Sequence, residues 1–369
     1  MAEEPGLLES IRSAMPSGEV APPERLRDYA VDGMLPDIAV SPATAEEVAA
    51  VLAVAARHGA GVIPWGGGTS MAVGGLPRRY DVALDTRRLD QVVEHAPADL
   101  TVVVQAGARL QQVQDYLARS GQYLPLDPPS PESATIGGIL ASNAGGPWRY
   151  AYGWPRDWVL GMKVALADGS IVKAGGRVVK NVAGYDMTRL YVGSFGTLGV
   201  IVEAAFKVTP LPQARRTGLA FFDSRAAAID AGLALHQRNL SLESLDVLSP
   251  GAVGPFAGIE PQSASWALLV AAAGNTAAVE RSLGAGTCAE PAERRGRRAA
   301  HAGEPAASAG RSFHRRPGRG GAGASPSGPG RLPSRPGRCL RALARRRPVG
   351  RRTGTAPDRR FAGHGRWSS

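Results

Sequence analysis

VIPWGGGTS, residues 62–70, is an apolar run that meets Pro64 and passes into three consecutive glycines and two hydroxyls. Glycine has no Cβ, so a triple-glycine loop can take positive φ and lie flat against another surface. Its successive N–H groups can then converge on one anion, and Thr69 and Ser70 add hydroxyl donors. A tight turn without a ligand uses the same residues, so the meaning of the loop depends on what surrounds it.

Upstream, Leu7, Leu8 and Ile11 predict a short helix within a lead-in over residues 1–35. Thr44 and Glu47 have capping-box spacing. Val48, Val51, Leu52 and Ala55 then recur on one helical face, and Gly59 stands where a helix should stop. A strand at 61–64 leads into the glycine loop, and Val82–Asp85 reads as a second strand. This order predicts a small α/β unit. Downstream, Thr101–Val104 is β-branched, and Leu110, Val113 and Leu117 mark a helix. Trp158–Ala167 reads as a strand turning at Asp168-Gly169 into Ile171–Lys173, and Leu198–Val208 reads as another. Residues 87–212 therefore read as a second, mostly antiparallel α+β unit. Beyond Pro212 the pattern is β-α-β-β-α, with helices capped by Ser224 and Asn275. That is a ferredoxin-like unit without its last strand, with an open sheet edge expected.

Two further stretches carry chemistry. Leu124–Pro147 holds a rigid Asp127-Pro128-Pro129, then Ser133-Ala134-Thr135-Ile136-Gly137-Gly138 at the start of an apolar helix, then Ser142-Asn143-Ala144-Gly145 at its end. Small residues there let a flat group approach the backbone, and a helix start favours anions; close helix packing selects the same residues. Gly175–Gly199 places Gly193, Gly196 and Gly199 three apart, in neither a dinucleotide fingerprint nor a phosphate-loop motif.

Composition divides the chain. The formal net charge is +11, yet the first 283 residues carry 23 basic against 28 acidic side chains. Residues 284–369 carry 20 Arg, no Lys and 4 acids, and both cysteines, Cys288 and Cys339, lie there. That tail lacks the apolar content to form a core. It reads either as a disordered basic arm, which makes a nucleic-acid-binding protein one alternative, or as a GC-rich frame shifted from the natural one, which the abrupt switch favours. The acidic N-terminus lacks a signal pattern, and no stretch approaches the roughly 18 apolar residues of a membrane span; a cytoplasmic protein is expected.

VIPWGGGTS, VQAGARL, LPLDPPSPESATIGGILASNAGGP, RDWVLGMKVALADG, GGRVVKNVAGYDMTRLYVGSFGTLGVI and FKVTPLP, in this order and spacing, resemble the PCMH-type FAD-binding domain of the vanillyl-alcohol-oxidase superfamily. VVKNVAGYD most resembles the FAD-binding E subunits of bacterial glycolate oxidases. The resemblance covers residues 36–212 and, more loosely, 213–283 as the start of a C-terminal cap. It implies an α+β fold of two α/β subdomains clasping an extended FAD, a truncated ferredoxin-like cap and a disordered tail. Pro64, Trp65, Gly66, Gly67, Gly68, Thr69 and Ser70 would hold the pyrophosphate. Asp127, Pro128, Ser133, Ala134, Thr135, Ile136, Gly137, Gly138, Ser142, Asn143, Ala144 and Gly145 would line the phosphates, ribityl chain and isoalloxazine. Ala106, Gly107, Gly199, Val200 and Ile201 would complete the pocket.

The resemblance further implies oxidation of a small 2-hydroxy acid to a 2-oxo acid, beside a catalytic FAD subunit and an iron–sulfur subunit, in the cytoplasm or at the inner face of the membrane through that complex. A free-standing 2-hydroxy-acid dehydrogenase is the alternative. The glycine loop has no His or Cys for covalent attachment, so non-covalent FAD is expected. None of His58, His95, His236, His301, His314 and His364 forms the family's His-x-His metal motif, so no metal site and no catalytic base are assigned. Arg149, Arg156, Lys180, Asn181, Tyr185 and Asp186 are candidates for substrate or partner contacts. Trp148, Tyr150, Tyr152, Trp154 and Trp158 are candidates to cover a flavin or a partner, or to form core.

Overall fold

The computed structural model describes residues 5–176, 186–253, 266–287 and 341–343. Lys180, Asn181, Tyr185, the two cysteines and His301, His314 and His364 lie outside them.

The first sheet contains β1 (Glu19–Val20), β2 (Ile38–Ser41), β3 (Val62–Trp65) and β4 (Val82–Asp85), in the order β1-β2-β4-β3. β2, β4 and β3 run parallel and β1 is antiparallel to β2. Pro64 is tolerated because β3 is an edge strand. Helices α1 (Leu7–Ala14) and α2 (Ala45–Arg57) pack together over this sheet. The lead-in is therefore part of the domain: Ile11 is fully buried, β1 extends the sheet, and Tyr29 and Val31 join its core. Thr44 caps α2, accepting the Glu47 N–H at 3.1 Å. The reciprocal half of the expected box differs. The Glu47 carboxylate accepts the N–H groups of Ala43 and Ser17, both at 2.7 Å, and so ties the N-terminal segment to α2.

The second sheet is antiparallel, as the sequence predicts. It comprises β5 (Val92–Ala96), β6 (Thr101–Gln105), β8 (Val159–Ala165), β9 (Ile171–Gly175) and β10 (Val200–Lys207), in the order β5-β6-β10-β8-β9. A two-stranded ladder of β7 (Gln122–Tyr123) and β11 (Thr209–Pro210) lies beside it. His95 is in β5, its Nε2 2.8 Å from Gln122 Oε1. On one face, α3 (Leu110–Ala118) and α4 (Ile136–Ser142) bury Leu110, Val113, Leu117, Ile139 and Leu140 against Val102, Val104 and Phe206. On the other, Val48 and Val51 of α2 share a core with Val82, Leu84, Val200 and Val202. The helix α2 thus joins both sheets. Each fully buried Leu, Ile or Val contributes about 1.5–3 kcal/mol, so these shared cores fix the first sheet against the second.

Two short helices follow α4: α5 (Arg149–Tyr152) and α6 (Met187–Tyr191). The cap comprises β12 (Ala214–Phe222), α7 (Arg225–His236), β13 (Leu242–Leu248), α8 (Pro250–Val253), β14 (Trp266–Gly274) and α9 (Thr276–Thr287). Ser224 and Asn275 cap α7 and α9 as expected. The sheet order is β13-β14-β12-β15, where β15 is Arg341–Leu343. The position expected to be vacant therefore carries three residues from the tail, paired with Thr217–Leu219. The expectation of a wholly unpaired edge and a tail without structure fails at these residues.

Candidate functional site

Strand β3 ends in the glycine loop, and α4 approaches that loop from the neighbouring subdomain. Between them lies an open cleft. The sequence-predicted Pro64–Ser70, Gly137, Gly138, Ser142, Gly199, Val200 and Ile201 all line it. Met71, Thr86, Ala141, Phe195 and Gly196 line it as well and escape the sequence reading. Phe195 had a local signal, since it interrupts a glycine-rich run. It takes φ +52°, a region uncommon for an aromatic side chain. Its conformation is held by the Phe195 N–H donating to Ala141 O at 2.8 Å and by Gly193 N–H donating to Leu140 O at 2.9 Å.

The glycines of the loop are required by close approach. A Cβ on Gly67 would lie 2.0 Å from Ser133 O, and one on Gly66 would lie 2.3 Å from Thr135 Oγ1. Ser133, Ala134 and Thr135 thus form the bed under the loop rather than the cleft wall. Ala106, Gly107 and Ile136 are likewise behind the wall. The start of α4 departs from the expected anion site. The N–H groups of Ile136 and Gly137 donate to Ala108 O and Ala106 O at 2.9 and 2.7 Å, and Gly138 N–H donates to Thr135 Oγ1 at 3.3 Å. A strand-like pairing of residues 106–110 with 134–137 has consumed those donors. By contrast, none of the N–H groups of Gly66–Ser70 donates a hydrogen bond among the described residues. Five adjacent uncommitted donors in a cleft can take a polyanion. Two buried polar atoms, Asn143 Oδ1 and Ser194 Oγ, also lack a partner among the described residues, beside the wall formed by Ser142 and Phe195. Flat backbone at Gly137, Gly138 and Ala141 leaves room for a planar group. The residues present therefore fit a phosphate-bearing cofactor with a planar ring system.

The loop rests on a buried polar network. Asp85 accepts Tyr29 O–H at 2.9 Å and Arg87 N–H groups from backbone and guanidinium at 2.6–3.0 Å. Tyr80 O–H donates to Tyr29 O at 2.9 Å. Trp65 meets the Tyr29 ring edge-on at 5.4 Å, and both the N–H and the hydroxyl of Thr86 donate to Trp65 O. Burial raises the Tyr29 phenol above its ordinary range, with the Asp85 charge acting the same way.

Asp127 and the aromatic residues form a second constellation, away from the cleft lining. The Asp127 carboxylate accepts Gly146 N–H at 3.0 Å and Trp148 N–H at 2.8 Å, and so shapes the loop after α4. Tyr123, Trp148, Tyr152 and Trp158 meet edge-on at 6.0–6.3 Å, and Arg149 stacks on Trp154. Arg156 pairs with Asp157, and Asp186 with Arg189. Of the candidate cover residues, none of the five aromatics borders the cleft; Tyr150 and Tyr152 instead reach the cap. Tyr150 O–H lies 2.8 Å from His236 Nδ1.

Nearby, Asp246 Oδ2 on β13 is buried without a partner among the described residues. Burial raises this carboxyl above its ordinary range, with Arg149 opposing. A raised folded-state value means stability is highest with the group protonated and falls as pH rises through its titration. Asp246→Asn is therefore expected to raise the melting temperature at pH 7 and to leave it unchanged below the ordinary carboxylate range. Thermal melts at both pH values check this.

Among the described residues, no cluster of His, Cys, Asp and Glu is disposed to hold a metal, and no helix is long and apolar enough to cross a membrane. The parallel β2-β4-β3 sheet, the antiparallel second sheet, the cap and the cleft between loop and α4 define a two-subdomain nucleotide-cofactor fold. Residues 36–175 match the family described as FAD binding domain. The glycolate oxidase subunit GlcD of Bacillus subtilis is 34% identical over 253 residues, covering 68% of this chain and 54% of that protein. The D-2-hydroxyglutarate dehydrogenase of Xanthomonas citri is 34% identical over 229 residues, covering 60% and 48%. Among solved structures, p-cresol methylhydroxylase with substrate bound superposes with a TM-score of 0.61 at 18% identity, covering 76% of this chain and 62% of that one. That likeness shows a fold shared with p-cresol methylhydroxylase. The chain spans about half the length of the curated relatives it matches.

Proposed function

We propose that this chain binds FAD non-covalently in the cleft and takes part in oxidising a small 2-hydroxy acid to a 2-oxo acid. The uncommitted N–H row of Gly66–Ser70 carries this reading: it would hold the pyrophosphate, with Thr69 and Ser70 hydroxyls beside it. Gly137, Gly138, Ala141 and Ser142 would bed the ring system, and Phe195 and Gly196 would close its outer side. When bound, the flavin supplies the hydride-accepting chemistry, and the protein supplies position and exclusion of water. Among the described residues, none lining the cleft is His or Cys, which supports non-covalent binding. Among the described residues, no lining residue is titratable either, and no base for the substrate proton is assigned. A cytoplasmic complex with a catalytic FAD subunit and an iron–sulfur subunit is the reading in which such a chain acts. A free-standing dehydrogenase is the second reading, favoured by the identity to D-2-hydroxyglutarate dehydrogenase.

The visible spectrum of the purified chain tests the cofactor. Flavin bands that pass to the supernatant on acid precipitation are expected; a colourless protein that takes up no added FAD overturns the proposal. Reduction of the bound flavin by 2-hydroxy acids in the chain alone would select the free-standing reading.

A further inference from the structure

A buried carboxylate joins the cap to the FAD-binding domain. Glu243, on β13, is 1% exposed. Its Oε1 accepts Arg215 Nη2–H at 2.8 Å and Tyr152 O–H at 3.1 Å, and Tyr152 O–H in turn accepts Tyr123 O–H at 2.9 Å. Arg215 Nε lies 2.8 Å from Oε2 without the alignment of a hydrogen bond. Arg215 and Glu243 belong to the cap; Tyr123, Trp148 and Tyr152 belong to the FAD-binding domain. The Arg215 guanidinium lies 4.4 Å from the centre of the Trp148 ring. Trp148 is held by its own N–H on Asp127, at the end of the loop that leaves α4. The path thus runs from a cap strand, through an ion pair and a cation–π contact, to the segment that follows the cleft-lining Ser142.

A buried ion pair is poor evidence for stability, because apolar side chains of similar volume often do as well. What it does supply is position: a carboxylate with one charged partner and one phenol tolerates few placements. We infer that Glu243 and Arg215 are positioning residues that couple docking of the cap to the conformation of residues 143–148, and thereby to retention of the cofactor in the cleft. The inference rests on the reading of the cleft as the FAD site for its last step only.

The full-length chain tests it through hydrogen exchange without cofactor and through FAD titration. In Glu243→Gln, amide exchange is expected to rise about tenfold in both β13 and residues 143–152, with β4 and β6 unaffected, and FAD affinity to fall about tenfold, within the usual range of inter-site coupling. The double variant Arg215→Met/Glu243→Leu separates positioning from stability. It is expected to melt no lower than wild type and yet to show the same loss of FAD affinity. Tyr152→Phe, which removes one hydroxyl, guards against misfolding of the others and should shift both readouts the same way by about threefold. Leu268→Ala in the cap core is the contrast: faster exchange in the cap and unchanged FAD affinity. Exchange confined to the cap in Glu243→Gln, or wild-type FAD affinity in the double variant, overturns the coupling. If the wild-type chain takes up no FAD, the cleft reading falls, and the exchange pattern of residues 143–152 still decides whether the two domains are coupled.

Discussion

Alanine at position 67 is expected to weaken FAD binding about 100-fold and to lower the melting temperature of the FAD-binding domain. The added Cβ would meet Ser133 O at 2.0 Å and Ser133 C at 2.8 Å. Both are backbone atoms, so no rotamer change relieves the collision. Either the glycine loop moves out into the cleft, where the pyrophosphate would sit on the proposed reading, or residues 133–135 move away. The second route disturbs Thr135, which is 1% exposed and caps α4. Overpacking of this kind costs about 1–3 kcal/mol and sometimes more, and about 2.8 kcal/mol spent on misplacing the loop is a hundredfold in affinity. Gly251→Ala is the control, because nothing lies within 4 Å of a Cβ there. Titration of both variants with FAD, followed by flavin fluorescence, decides the matter. Affinity within threefold of wild type in Gly67→Ala would show that the loop does not hold the cofactor.

Local signals explain how far the sequence could be read. The glycine loop, α2, α3 and the β8–β9 hairpin were all legible, because each rests on a periodicity, a cap or a turn contained within about fifteen residues. Thr44, Gly59 and Asp168-Gly169 announce themselves without partners. The start of α4 was misread for the opposite reason. Ser133, Thr135 and two glycines look like an anion site until residues 106–108 arrive from the preceding strand and take the N–H groups. Asp127 clamps a loop whose N–H groups lie about twenty positions downstream, a role that nothing in its own segment announces. The contact of Tyr152 with Glu243 spans 91 positions, and nothing in either segment marks it. Phe195 was missed because an aromatic that interrupts a glycine-rich run also reads as a loop filler, and its left-handed backbone and place on the cleft wall are what tell the two apart.

The same reasoning gives the second large effect, at Asp85. This carboxylate is 3% exposed and gathers the Tyr29 hydroxyl, the Arg87 backbone N–H and the Arg87 guanidinium. Asp85→Ala leaves a phenol and a guanidinium without their acceptor beneath the loop. Removing one member of a buried pair costs about 3–5 kcal/mol. The Arg87 side chain is 37% exposed and water can replace part of what it loses, so about 2–3 kcal/mol is expected here. At about 2–4 °C per kcal/mol for a domain of this size, the melting temperature should fall by roughly 4–12 °C. The loss should not stay local. Tyr29 is the ring against which Trp65 packs, and Trp65 is the residue from which Gly66–Gly68 departs. FAD affinity should therefore fall with stability, and the cofactor should restore less of the lost melting temperature than it adds to the wild-type chain. Denaturant unfolding with and without FAD measures both. Tyr29→Phe keeps the ring and should lose about 1 kcal/mol with near wild-type FAD affinity, because the edge-on contact with Trp65 survives. An Asp85→Ala chain that is less stable but binds FAD as tightly as wild type would confine the network to holding the sheet, and would leave the N–H row of the glycine loop as a site that needs no support from below.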